Sequence, residues 1–223
     1  MKPRDFRGRA SYPGLTGNPF DLVLHRALAL ERIPLPFFLL LLALLAAAGG
    51  LGRWGAALLY FSAFLIDLVL LCLLPRLGIS YGPVKPPTLA LAFLRLLVCW
   101  LPFWPLAVMQ SLGTGLVLYG FFIEPRQMRL THQSLPVTGN ASTVGLRLLH
   151  LSDLHIERMT GRERSVLNLV EQHQPDLIAF TGDILNLSYI RDVRAIEEAR
   201  RFLASLRAPL GVYFVTGSPA VDL

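Results

Sequence analysis

The amino-acid sequence predicts a bundle of transmembrane α-helices followed by an α/β domain. Hydrophobic residues make up 53% of the 223-residue chain, and their long runs are concentrated before residue 124. The remainder has the charge density of a soluble domain, and its short apolar runs end at residues that can bind a metal. We therefore expect a basic arm at 1–32, a transmembrane region at 33–124 and the α/β domain at 125–223.

The N-terminal arm is basic and is interrupted in its middle by proline and glycine. We expect a flexible segment with a short helix from about Asp21. Most of the net charge of +6 belongs to the first 124 residues, where it indicates orientation beside a membrane. A nucleic-acid partner is therefore not expected. The cations of the arm are Lys2, Arg4, Arg7, Arg9, Arg26 and Arg32.

Four apolar stretches follow the arm, and the longer ones approach the roughly 20 residues that span a bilayer. Pro102 and Pro105 lie within the third stretch, and the fourth is short unless it includes residues from Leu106 onward. We therefore predict four transmembrane helices and keep three as the alternative. The stretches are 34–51, 55–74, 88–109 and 112–123.

The distribution of cations between the loops favours four helices. If the arm is cytoplasmic, only Arg53 lies on the far side of the membrane, which agrees with the positive-inside rule. The protein is then a multi-pass protein of the cell membrane with a cytoplasmic α/β domain, whereas three helices would place that domain outside. The cations on the cytoplasmic side are Arg76, Lys85, Arg126 and Arg129.

Two charged residues, Asp67 and Arg95, lie inside the apolar stretches. In antiparallel helices both fall a few ångströms from the membrane midplane on the same side. A structural ion pair is the preferred interpretation. The alternatives are that Arg95 reaches the headgroups, or that the two residues mark a substrate path.

The α/β domain begins with two strand patterns separated by one helix of sequence. Residues 146–151 predict a buried strand that ends at Ser152-Asp153-Leu154-His155, and residues 176–181 predict a second that ends at Gly182-Asp183. A right-handed crossover through a helix at 162–173 brings both strand ends to one edge of the sheet. In an extended segment Asp153 and His155 point the same way and can bind one ion.

Further elements are predicted on both sides of this unit. Residues 124–131 resemble a juxtamembrane strand, residues 192–206 have helical spacing, and residues 211–216 form a third buried-strand pattern. His150 lies within the first strand and is expected to be packed or hydrogen-bonded. His173 is expected to complement the dipole at the end of a helix.

The sequence Ser-Asp-Leu-His at 152–155, followed by Pro-Asp-Leu-Ile-Ala-Phe-Thr-Gly-Asp at 175–183, resembles the calcineurin-like metallophosphoesterase family. The membrane-attached bacterial branch is the most similar. The resemblance implies an α-β-β-α sandwich and two divalent ions, with Asp153 and His155 on the first ion and Asp183 bridging both. Carboxylates with one imidazole suit Mn, Fe or Zn.

The implied activity is hydrolysis of a phosphomonoester or phosphodiester by a metal-activated hydroxide. A lipid-linked substrate is expected only because the site would lie near the bilayer. The implied partners are the bilayer and a phosphate ester.

The third motif of the family is altered. In Gly217-Ser218-Pro219-Ala220, serine stands where an asparagine ligand is expected and Pro219 stands where a catalytic histidine is expected. We therefore assign no catalytic residue and regard Ser218 and Asp222 as weak candidate ligands. The family's later histidine motifs have no counterpart before Leu223, so we expect an incomplete domain, inactive alone, with one uncovered sheet face.

Two other functions compete with hydrolysis. The altered third motif is also typical of a degenerate or truncated membrane protein that keeps the fold for binding or assembly. A transporter that uses Asp67 and Arg95 is less consistent with the sequence, because it leaves the α/β domain unexplained.

Overall fold

A computed structural model of the protein describes residues 26, 28–136, 145–215 and 217. The chain divides into two compact units, of which the first ends at Pro125 and the second begins at Arg126. The expectation of a basic arm at 1–32 falls largely outside the described residues.

The first unit is entirely helical where the structure describes it. Its long helices are apolar around most of their circumference. Proline directly precedes α1 and α4, and α3 has prolines in its first turn. The helix α4 continues through a π-helical turn at Tyr119–Ile123 and a 3-10 turn at Glu124–Arg126, and a further 3-10 turn lies at Leu30–Arg32. The helices are α1 Leu35–Gly50, α2 Trp54–Arg76, α3 Lys85–Leu96 and α4 Phe103–Leu118.

Two of the described helices are long and apolar enough to cross a membrane. They are Trp54–Arg76, with 23 residues, and the continuous helix Phe103–Arg126, with 24 residues. The helix α1 is apolar but has only 16 residues, and α3 has 12. The expected helical region is thus confirmed.

The prediction of one helix over 88–109 is wrong. The helix α3 ends at Leu96, residues 97–100 form turns, and α4 begins after Pro102. Proline lacks a backbone N–H and its ring clashes with the preceding helical turn, so it starts a helix more readily than it continues one. The helix that contains the fourth apolar stretch therefore also includes residues 103–111.

Hydrogen bonds between the turns show how the four helices run. The carboxylate of Glu31, before α1, accepts bonds from the backbone N–H groups of Val84 (2.9 Å) and Lys85 (2.8 Å), at the start of α3. At the other end, Arg53 donates to the carbonyl groups of Leu101 (2.7 Å) and Cys99 (2.5 Å). Helices α1 and α3 therefore run in one direction, and α2 and α4 run in the opposite direction.

The second unit is a three-stranded parallel sheet with two crossover helices. The strands have the order β1-β2-β3, and all neighbours are parallel. The strands predicted at 146–151, 176–181 and 211–216, and the two helices between them, are thereby confirmed to within a few residues. A single 3-10 turn lies at Leu187–Tyr189. The elements are β1 Leu148–Leu151, α5 Gly161–His173, β2 Leu177–Phe180, α6 Val193–Ser205 and β3 Val212–Phe214.

Both crossover helices start at a side-chain cap. Thr160 and Glu163 form a capping box at the start of α5, in which each side chain satisfies a free backbone donor of the first turn. Asp192 accepts a bond of 3.0 Å from the N–H of Ala195 at the start of α6. The helix α5 ends at Gln174, in the left-handed conformation, directly before Pro175.

The two faces of the sheet differ. Ile178 aligns with Leu149 on β1 and Val212 on β3, and this face packs against α5 and α6. On the opposite face, apolar side chains of the described strands are exposed, including Leu148 and Tyr213. The buried side chains of the covered face and its helices are Ile156, Val166, Val170, Ile178, Phe180, Ala199, Phe202 and Leu206.

Two predictions about this unit are wrong. The third strand is exposed along its length, because β3 lies at the edge of the sheet and has a covered neighbour on one side only. The predicted strand at 124–131 is instead a helical turn followed by a segment without regular structure. A strand needs a partner for its backbone hydrogen bonds, and the described part of the chain provides none for this segment.

Candidate metal centre

The loops after β1 and β2 bring three metal-ligand side chains together. Asp153 and His155 follow β1, and Asp183 follows β2. One ligand atom from each of the three lies within 4.8 Å of the others. The parallel sheet explains this convergence, because the carboxyl ends of adjacent parallel strands meet at one edge.

The backbone of the candidate ligands is left-handed, whereas an extended segment was predicted for Asp153 and His155. Asp153, His155 and Asp183 have φ angles of 54°, 45° and 54°, all in the left-handed region. Residues other than glycine adopt this region at a cost of about 1–2 kcal/mol each. Ligand-type residues in strained conformations are common at functional sites, where the surrounding structure holds them.

Backbone hydrogen bonds join the two ligand loops. The N–H of Asp153 donates to the carbonyl of Gly182 (3.1 Å), and the N–H of His155 donates to the carbonyl of Asp183 (2.9 Å). Beyond them, Ile156 bridges to Leu185 as in a parallel sheet. These bonds fix the spacing of the three candidate ligands.

Only glycine fits at position 217, the start of the third motif, because the backbone there lies very close to Asp183. A Cβ atom on Gly217 would lie 2.5 Å from both the backbone nitrogen and the Oδ1 atom of Asp183. The third motif therefore begins directly against the residue expected to bridge two ions. Ser218, Pro219 and Asp222 lie outside the described residues, so their roles stay predictions.

The three side chains suit a divalent ion. Two carboxylates and one imidazole are the donor types that Mn, Fe and Zn accept. An ion that holds its ligands at about 2.1 Å keeps them roughly 3–4 Å apart, so the observed spacing needs only small side-chain rotations. Asp153 is exposed and Asp183 is partly buried, which leaves the site open to a substrate.

The other described histidines of this unit do not belong to the ligand cluster. His150 is exposed, and its Nε2 atom lies 2.8 Å from the hydroxyl of Thr181, so the expectation of a hydrogen-bonded histidine is confirmed. His173 is the last residue of α5, as expected, and its ring packs edge-on against His132 with 5.7 Å between centroids.

Contacts behind the first ligand loop were not predicted from the sequence. Asn186 donates to Glu157 (2.8 Å), and Glu198 accepts a bond from the N–H of Met159 (2.5 Å). Arg162 donates to the carbonyl of Leu154 (2.6 Å). The only sequence signal for them is their position at the ends of the loops, which does not identify a partner.

In the helical unit, Asp67 and Arg95 form a buried bidentate ion pair. Nε and Nη2 of Arg95 each lie 2.7 Å from a carboxylate oxygen of Asp67. The guanidinium also donates to the carbonyl (2.8 Å) and side chain (3.1 Å) of Gln110, and to the hydroxyl of Thr114 (3.0 Å). The pair thus connects α2, α3 and α4.

Comparison with known proteins supports the interpretation of the sheet unit. Residues 146–218 match the calcineurin-like phosphoesterase family. The resemblance predicted from the sequence is confirmed for this segment. The match includes all three candidate ligands and Gly217.

Several curated proteins are similar to the chain. The UDP-2,3-diacylglucosamine pyrophosphatase LpxG of Chlamydia trachomatis is 31% identical over 99 residues, which cover 43% of this chain and 29% of that protein. A transmembrane protein with metallophosphoesterase domain from Danio rerio is 27% identical over 106 residues, covering 46% of this chain and 23% of that protein. The metallophosphoesterase YkoQ of Bacillus subtilis is 33% identical over 73 residues, which cover 33% of this chain and 26% of that protein.

The chain spans less than a third of the length of these relatives. No solved structure matches the chain significantly. The comparisons therefore describe the sheet unit and leave the activity of the whole protein to be proposed.

Proposed function

We propose that the protein is a membrane-anchored, metal-dependent phosphohydrolase that acts on a phosphomonoester or phosphodiester. The observation that carries the proposal is the convergence of Asp153, His155 and Asp183 at one edge of the sheet. The family match over 146–218 supports it.

In the proposed mechanism, Asp153 and His155 would hold one divalent ion, and Asp183 would be a ligand of this ion and of a second. Such ions supply hydroxide near neutral pH and neutralise the charge on phosphoryl oxygens. The bonded ligand loops keep the carboxylates and the imidazole in place before the substrate arrives. Gly217 leaves room beside Asp183 that any other residue would fill. Mn, Fe or Zn fits this donor set.

The substrate class that we propose is a lipid-linked phosphate ester. LpxG is by its name a pyrophosphatase of UDP-2,3-diacylglucosamine, a diphosphate that carries acyl chains. An enzyme with a membrane anchor would meet such a substrate at the bilayer surface.

The helical unit supports membrane anchoring and a multi-pass topology. All three tryptophans of the chain lie near the end where α1 joins α2 and α3 joins α4, and Trp54, Trp100 and Trp104 are 84%, 71% and 78% exposed. Exposed tryptophans gathered at one end of apolar helices are typical of a membrane interface. Arg53 at that end donates to backbone carbonyl groups.

The other end of the helical unit is the more basic one. Arg76, Lys85 and Arg126 lie at helix ends there. Under the positive-inside rule this end is cytoplasmic, and the second unit, which follows α4 in the chain, is cytoplasmic as well.

Hydrolysis tests the proposal directly. The natural gene product, purified in detergent and supplied with Mn²⁺, should hydrolyse bis(p-nitrophenyl) phosphate. Asp183→Ala should reduce turnover by more than about 100-fold. Loss of a residue that only orients a metal ligand typically lowers activity by about 10- to 100-fold, and loss of a ligand itself should lower it further. The matched control is Asp176→Ala, which removes a carboxylate that contacts Arg147 at the opposite end of β2. Equal turnover in Asp183→Ala and wild type would overturn the assignment.

Labelling tests the topology. In a variant whose native Cys72 and Cys99 are replaced by serine, a cysteine introduced at the exposed position Arg164 should react with an impermeant maleimide only from the cytoplasmic side. Labelling from outside the cell would contradict the four-helix assignment.

A second candidate function is binding or assembly by a degenerate phosphoesterase fold. Pro219 favours it, because proline cannot replace a catalytic histidine. This candidate predicts that the natural gene product binds metal but shows no turnover with Mn, Fe or Zn.

A further inference from the structure

We propose that Arg162, in the first turn of α5, is a positioning residue that sets the geometry of Asp153 and His155. It does so by holding the carbonyl group of Leu154, which lies between them. The inference rests on the proposed function, since it assumes that these two side chains bind a metal ion.

The peptide unit between Leu154 and His155 is held from both sides. Its carbonyl accepts a bond of 2.6 Å from Nη2 of Arg162, and its N–H donates to the carbonyl of Asp183 at 2.9 Å. In a trans peptide these two groups point in opposite directions, so the two bonds fix the orientation of the peptide plane. That plane connects the candidate histidine ligand to the rest of the loop.

The need for such a restraint comes from the backbone of the loop. Asp153 and His155, on either side of Leu154, both have positive φ angles. Residues in this strained region persist only when the surrounding structure holds them. Without the bond from Arg162, the loop is free to relax toward conformations in which the two side chains no longer converge.

Arg162 is itself fixed by a buried carboxylate. Its Nε and Nη2 atoms lie 2.8 Å and 2.6 Å from Oε1 of Glu163, whose side chain is 1% exposed. The other oxygen of Glu163 accepts bonds from the N–H (2.8 Å) and hydroxyl of Thr160. A chain of contacts therefore runs from the helix cap through Glu163 and Arg162 to the ligand loop.

The contact is specific for arginine. A planar guanidinium reaches the carboxylate of Glu163 and the carbonyl of Leu154 at once, with donors in fixed directions. Lysine offers a single nitrogen at a different reach, and methionine offers no donor. The exposed Arg164, on the same helix, provides a matched control for the loss of a positive charge.

The experiment measures Mn²⁺ binding by the natural gene product, from the free Mn²⁺ signal in electron paramagnetic resonance. Arg162→Met and Arg162→Gln should weaken the affinity by about 10- to 100-fold, the effect typical of groups that orient metal ligands. Arg162→Lys should bind more tightly than either, and Arg164→Met should bind like wild type. The spectrum of bound Mn²⁺ should broaden in Arg162→Met and stay unchanged in Arg164→Met.

The outcomes separate this inference from the proposed function. If wild type binds Mn²⁺, Asp183→Ala does not, and both Arg162→Met and Arg162→Gln bind like wild type, the positioning role is overturned while the metal site stands. A loss in Arg164→Met equal to that in Arg162→Met, or in Arg162→Lys equal to that in Arg162→Met, would also overturn it. If wild type binds no Mn²⁺, the proposed function fails and this inference fails with it. Should Arg162→Met not fold, the comparison of Arg162→Gln with wild type decides.

Discussion

Asp67 of the helical unit and the two aspartates of the candidate metal centre have opposite surroundings. In the helical unit, the carboxylate of Asp67 meets Arg95, whose guanidinium nitrogens all donate to protein acceptors. In the sheet unit, Asp153 and Asp183 converge with a histidine. The first arrangement neutralises charge within the protein, whereas the second gathers candidate metal ligands at one edge of the sheet.

This difference shows that the neighbours of an aspartate determine whether it forms a structural ion pair or a candidate metal ligand. The guanidinium of Arg95 has no donor left for a ligand, because each of its nitrogens already donates to a protein acceptor, so the transporter interpretation of Asp67 and Arg95 gains no support from this geometry. Converging ligands on strained loops are the pattern expected of a site. If the two clusters are independent, a change in one should leave the other intact.

Breaking the pair of the helical unit should have the largest effect on stability. Asp67→Ala leaves a buried guanidinium without its counter-charge, which costs about 3–5 kcal/mol of unfolding free energy. The double variant Asp67→Leu, Arg95→Met should recover most of this loss, because a buried ion pair is often replaceable by apolar groups. Unfolding in mixed detergent micelles measures both. Mn²⁺ affinity should not change, and a parallel loss of metal binding would show that the clusters are coupled.

Filling the space beside Asp183 should have a smaller effect on the stability of the protein and a clear effect on metal binding. Gly217→Ala places a Cβ atom against Asp183 and should cost about 1–3 kcal/mol through overpacking. The same variant should weaken Mn²⁺ binding. Gly161→Ala is the control, since a Cβ atom there meets nothing within 4 Å. Normal Mn²⁺ affinity in Gly217→Ala would show that metal binding does not require glycine at position 217.

The smallest effect concerns an acidic residue of the sheet unit outside the metal site. Asp192 accepts bonds from Arg158 (2.8 Å) and from the N–H of Ala195, and these bonds hold its pKa below the ordinary value of 3.8. Its stabilising contribution is therefore present above pH 3.8 and is lost as the pH falls through the lowered pKa. Asp192→Ala should cost about 1 kcal/mol at pH 7, as loss of a helix cap does.

Urea unfolding at neutral and acidic pH measures this contribution. The difference between wild type and Asp192→Ala should shrink as the pH falls below 4. Asp192→Asn keeps a capping side chain and should cost less. A difference that is the same at both pH values would exclude the ion pair as its source.

Much of the fold follows from local patterns. The apolar runs before Asp153 and Asp183, the helical spacing between them and the handedness of parallel crossovers were enough to predict the sheet and the edge at which the candidate ligands meet. The helical region was predicted from apolar length alone. The prediction of one helix over 88–109 was wrong because Pro102 interrupts the helix, and apolar length alone does not reveal such a break.

The conformation of the site depends on contacts that are distant in sequence. The left-handed backbone at Asp153 and His155 is held by bonds to the loop after β2, and sequence periodicity contains no information about those bonds. The same holds for Arg162, whose role depends on a carbonyl group eight residues earlier. The exposed β3 follows from its position at the edge of the sheet, which an apolar run does not reveal.

The most direct test of the metal centre is the metal content of the natural gene product after equilibrium dialysis against Mn²⁺, for wild type, His155→Ala and the control His150→Ala. Wild type and His150→Ala should retain bound Mn²⁺, and His155→Ala should lose it. Equal Mn²⁺ in all three proteins, or none in wild type, would contradict the assignment of Asp153, His155 and Asp183 as a metal site.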